Sequence, residues 1–109
     1  MTQIKIISNP YKQEITYKTK ENSGEWTDVS QSAPNGKLRE ESARKCFVPF
    51  HAKEIMDIIA DEYYISPKKG PVEIIFEGTK EEYDVIQRVC RNPELADKFC
   101  LVRSDRVLD

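Results

Sequence analysis

A chain of 109 residues is the length of one domain, long enough to bury roughly two-thirds of its unfolded surface around a single core. With hydrophobic residues at 39% and charged residues at 33%, the composition excludes a disordered chain and predicts a folded one with a wet surface. A net charge of −2 excludes the general positive field that supplies most sequence-independent affinity for nucleic acid or anionic membrane.

The N-terminal "MTQIKIISNP" lacks a basic region followed by a long apolar one, and Asp57 cuts the densest apolar segment, "IMDIIA". Neither a secretory leader nor a membrane span is expected, and the chain is placed in the cytoplasm. Cys46, Cys90 and Cys100 are odd in number and have no C-x-x-C spacing, which fits reduced thiols and not a disulfide framework.

In "IKIISN", Ile4, Ile6 and Ile7 form a short apolar run closed by Ser8-Asn9-Pro10, a strand followed by a turn. "QEITYKT" alternates, with Ile15, Tyr17 and Thr19 on one side, as a half-buried antiparallel strand does. The two predict a hairpin. "ENSG" is turn chemistry, and "EWTDV" is expected to form a third, edge strand with Trp26 and Asp28 on opposite sides. Residues 30–45 are polar, contain Pro34 and Asn35-Gly36, and offer only Leu38 and Ala43 to a core, so they are expected to form a flexible loop.

Pro49 forces Val48 towards extended geometry and can occupy the first turn of a helix. That helix is expected over residues 49–64, with Ala52, Ile55, Met56, Ile59 and Tyr63 as its buried stripe and Lys53, Asp57, Asp61 and Glu62 largely outside it. "SPKKGP" ends it. "VEIIF", apolar on both sides, predicts a central strand at 72–76. Thr79 followed by Glu82 is a capping box, so a second helix is predicted over 80–91. Its stripe is Tyr83, Ile86, Val89 and Cys90, and Asn92-Pro93 stops it. "FCLVR" completes a strand at 98–103 and a parallel strand-helix-strand crossover.

The motifs exclude more than they assign. A phosphate site at Gly78, Thr79 and Lys80 needs free N–H groups at a helix N-terminus, yet the capping box uses two donors and Glu81 and Glu82 repel anions. A Walker-type P-loop is absent, since "NGKL" has Leu38 where Ser or Thr belongs. Cys46, His51, Cys90 and Cys100 lack the paired spacing of structural zinc ligands, and Cys46 with His51 lacks the orienting group of a nucleophile pair. Asp57 and Asp61 read as a solvated helix face because Lys53 stands one turn before Asp57. No catalytic residue, metal or cofactor is therefore expected. Trp26, Tyr17 and Tyr11 are left as candidates for protein contact, Trp26 having a core-capping role as its alternative.

Taken together, "IKIISNPYKQEITYKT", Trp26, "IADEYYI" and "VEIIFEGTKEEYDVI" resemble the N-terminal region of large Firmicutes proteins of the dynamin family and similar ATP/GTP-binding proteins. The resemblance implies a module placed ahead of a GTPase domain, with "SDRVLD" leading onward. No GTP-binding residue carries over, because no position matches a P-loop.

The expected fold is a single α+β domain over 1–109: an N-terminal antiparallel hairpin or meander, a mixed sheet, and two helices on one face. The expected function is a non-catalytic accessory or interaction domain of a larger cytosolic bacterial protein. Its partner is a protein or the rest of its own chain, not nucleic acid or membrane, with a homodimer through an edge strand open to it. The alternative is a small enzyme or anion-binding module built on the Gly78-Thr79 corner.

Overall fold

The structure, a computed structural model, describes residues 2–9, 11, 14–21, 24–29, 36–38, 40, 48–63 and 71–103. Five strands form one mixed sheet in the order β3-β2-β1-β4-β5. Strand β1 (Thr2–Asn9) runs antiparallel to β2 (Glu14–Glu21) and parallel to β4 (Val72–Glu77), which in turn runs parallel to β5 (Phe99–Arg103). The short β3 (Thr27–Asp28) adds antiparallel to β2. The N-terminal meander, the α+β class and the closing strand-helix-strand unit are as the sequence predicts.

Strict alternation decides which face of the sheet is covered. Ile4, Ile6 and Ser8 of β1, Ile15, Tyr17 and Thr19 of β2, and Val72, Ile74 and Phe76 of β4 are buried, while their neighbours are half-buried or exposed. Helices α1 (Val48–Glu62) and α2 (Lys80–Cys90) lie against the buried set and pack on each other. Helix α1 contributes Ala52, Ile55, Met56 and Ile59, and α2 contributes Ile86 and Cys90. Helical geometry breaks at His51 (φ −128°, ψ 15°), so the regular part of α1 begins after it.

Several expectations are corrected. Trp26 precedes β3 instead of lying within it, and it is not opposed to Asp28: Asp28 pairs with Lys18, whose side of the sheet also holds the Lys5 and Lys20 ammonium groups that lie on the Trp26 ring. Tyr17 is 1% exposed and packs in the core, which removes it as a contact for a partner. Glu62, only 1% exposed, belongs to the buried stripe of α1, and Tyr63 is half-buried beside it. The flexible-loop expectation for residues 30–45 lies mostly outside the described residues. Within it, Leu38 is fully buried, as a core contact should be, and its N–H donates to Glu62 Oε1 at 2.9 Å.

Gly78 joins β4 to α2 where no side chain fits. A Cβ there would come within 2.7 Å of Phe76 Cζ and 3.2 Å of Glu82 Oε1. The Phe76 ring cannot swing away, being fully buried and in tilted contact with Tyr83 at 6.3 Å between centroids. Gly78→Ala is therefore expected to destabilise the fold by about 1–3 kcal/mol, the usual cost of overpacking. Urea denaturation of the two proteins measures it, and an unchanged midpoint would show that the corner relaxes freely.

Candidate functional site

Two places in this fold could meet a ligand: the carboxyl ends of β1 and β4, and the sheet face opposite the helices. At the first, the chain leaves β1 towards β2 on one side and leaves β4 through α2 towards β5 on the other. Such a divergence is where open sheets commonly take ligands. Here it is filled by protein. Glu82 is 0% exposed, and its carboxylate accepts from the Ser8 hydroxyl at 2.5 Å, the Thr79 N–H at 3.1 Å and the Thr79 hydroxyl at 2.9 Å. Thr79 Oγ1 in turn accepts from the Glu82 N–H at 3.2 Å, completing the capping box that the sequence predicts. The N-terminus of α2 thus has two backbone donors, the Thr79 and Glu82 N–H groups, committed internally. Gly78 is buried, and Lys80 is exposed beside the acids Glu81 and Glu82 of the first turn.

The remaining polar candidates do not converge. Lys53 Nζ lies 3.2 Å from Asp57 Oδ2 and 3.3 Å from Glu94 Oε2, which raises its pKa and ties α1 to the turn after α2. Asp57 and Asp61 form the solvated face expected of them. His51 Nδ1 lies 3.6 Å from Glu54 Oε2 at the break in α1, while Cys46 is outside the described residues. Among the described residues, no group of three His, Cys, Asp or Glu side chains is placed to hold a metal, and no helix is long and apolar enough to cross a membrane.

The second place is the sheet face left uncovered by α1 and α2 among the described residues. Gln3, Lys5 and Ile7 of β1, Thr16, Lys18 and Lys20 of β2, and Glu73, Ile75 and Glu77 of β4 alternate with the core residues and are all half-buried. Trp26 joins them. Its ring carries Lys5 Nζ at 4.5 Å and Lys20 Nζ at 5.6 Å from the centroid, so the indole lies on this face and does not cap the helix-covered core. Of the aromatic contact candidates, Tyr11 is 79% exposed in the turn after β1 and Trp26 stands half-buried between lysines. Among the described residues, β3 pairs with Lys18 and Thr19 alone along the outer edge of β2. The sequence expectation picked out Trp26 but missed its lysine neighbours, although the β1–β2 hairpin and strand alternation together place Lys5 and Lys20 on one face.

Comparison with protein-family models, curated proteins and solved structures found no match to this chain.

The thiols add one distinction. Burial pushes the Cys90 thiol up to about 11 from an ordinary 9.0, with a smaller contribution from Cys100, whereas Cys100 is exposed. Cys90 is thereby held protonated and unreactive near neutrality. In the native protein at pH 8, mass mapping of iodoacetamide adducts should find Cys100 modified well before Cys90, with the difference erased in urea. Because folding raises this pKa, its contribution to stability is complete below pH 9 and is lost as pH rises towards 11. Equal labelling of both thiols in the folded state would contradict that placement.

Proposed function

We propose that this chain is a non-catalytic interaction domain that meets a protein partner through the uncovered face of its sheet. In its wider setting it would be an accessory module of a larger cytosolic bacterial protein of the dynamin-like, GTP-binding kind that its sequence resembles. The observation that carries the interaction role is Trp26, held half-buried between Lys5 and Lys20 on the face that neither helix covers. Large aromatics held in place by neighbours lose little conformational freedom on binding and commonly anchor interfaces. Ile7 and Ile75 give the same face an apolar strip beside the indole. A second copy of the chain is a further candidate for the outer edge of β2, since β3 is only two residues long.

The anion-binding alternative at Gly78, Thr79 and Lys80 has less to support it, because a bound phosphate would have to displace the Glu82 carboxylate from the Thr79 N–H. Two measurements test the proposal together. Calorimetric titration with ATP, GTP and inorganic phosphate should give no saturable heat. A photo-crosslinking residue in place of Ile7 or Ile75 should form a discrete protein adduct in bacterial cells, and one in place of Asp61 should not. Saturable nucleotide heat that disappears in Lys80→Ala, with no adduct from the sheet face, would overturn the interaction role.

A further inference from the structure

The uncovered face is electrically divided, and the division indicates what would lie on it. On the β1–β2 half, Lys5 and Lys18 stand directly opposite each other in the antiparallel register, and Lys20 follows two residues on, opposite Gln3. Like charges directly opposed across strands repel. The only acid placed opposite any of the three is Asp28, facing Lys18 on β3. Among the described residues none of these lysines forms an ion pair, and the contacts of Lys5 and Lys20 are with the Trp26 ring. On the β4 half the sign reverses: Glu73 accepts from the Gln3 amide at 2.7 Å, and Glu77 shares that side. Two of the lysines are thus gathered on the one indole in the chain, and the third stands directly opposite Lys5, so positive charge is concentrated on this half of the face.

Resting on the interaction role proposed above, we propose that the Lys5, Lys18, Lys20 and Trp26 patch docks an acidic, extended protein segment. Its carboxylates would sit on the three ammonium groups and an interleaved apolar side chain would lie against the indole and Ile7. Carboxylates there would relieve the Lys5–Lys18 repulsion, the direction in which charge complementarity favours a partner and speeds its encounter. Glu73 and Glu77 on the adjoining strand limit the positive strip to two strands, which suits a single peptide segment better than a phosphate backbone tracking across the sheet.

The test uses the full chain, isotope-labelled, and three probes: a short peptide of alternating Glu and Val, its Lys-Val counterpart, and a short oligo(dT). The Glu-Val peptide should shift amide resonances of β1 and β2 and the Trp26 indole N–H. Its affinity should fall as salt rises from about 50 to about 500 mM, and roughly tenfold or more on Lys5→Gln combined with Lys20→Gln. The Lys-Val peptide should leave these signals unmoved. Both positions are half-buried, so a cooperative thermal transition with a native-like amide spectrum away from β1 and β2 will show that the variant is folded. No shift with the Glu-Val peptide, shifts confined to the helices, or tighter binding of oligo(dT) on the same residues would each overturn the acidic-segment inference. A photo-adduct from Ile7 or Ile75 to a partner that lacks an acidic segment would do so too while leaving the interaction role standing, whereas loss of the adduct itself removes the broader role.

Discussion

One buried carboxylate joins the two halves of this fold. Glu82 begins α2 by completing its capping box, and through Ser8 it fastens that helix to β1, a strand more than seventy residues away in sequence. Burying a carboxyl group is costly unless its oxygens are hydrogen-bonded, and here the donors come from the two elements that must meet. Gly78 belongs to the same arrangement: the absence of a Cβ lets the chain turn tightly enough for Glu82 to reach back past Phe76. The corner is set by local sequence and then locked by a long-range contact.

That lock decides where function can lie. The divergent ends of β1 and β4 would be the natural cleft of an open sheet, but Glu82 and Ser8 fill it with mutually satisfied polar atoms. With α1 and α2 on one face, the opposite face carries the unassigned chemistry among the described residues: an indole, two half-buried isoleucines, and a cluster of lysines, two of them on the indole ring. The interaction role proposed for that face follows from how the core is closed, not from a catalytic signature.

The strands were the most legible part of the sequence, because period-two alternation in "QEITYKT" and the doubly apolar "VEIIF" map directly onto a half-covered edge region and a central strand. The capping box was legible to the residue. The two buried acids were harder. Glu62 lies three residues after Ile59 and seven after Ile55, and Glu82 four before Ile86, so both sit at core spacing. Charge argues for solvent and spacing for burial, and spacing prevails: Ser8 with Thr79 satisfies Glu82, whereas the Leu38 N–H meets only Oε1 of Glu62 and leaves its buried Oε2 without a partner among the described residues. Ser8 and Leu38 are distant in sequence from the acids they meet, so periodicity carries no signal of either contact. The same reason hid the Trp26 site, which depends on the register between β1 and β2 and on a turn that folds the indole back over it.

A double-mutant cycle between Ser8→Ala and Glu82→Ala, read by urea denaturation, tests the central tie most directly. The two losses should be strongly non-additive, with a coupling of about 1–3 kcal/mol, as for a buried hydrogen bond to a charged group. Losses that simply add, to within about 0.5 kcal/mol, would contradict it, because the helix cap and the strand would then be stabilised independently.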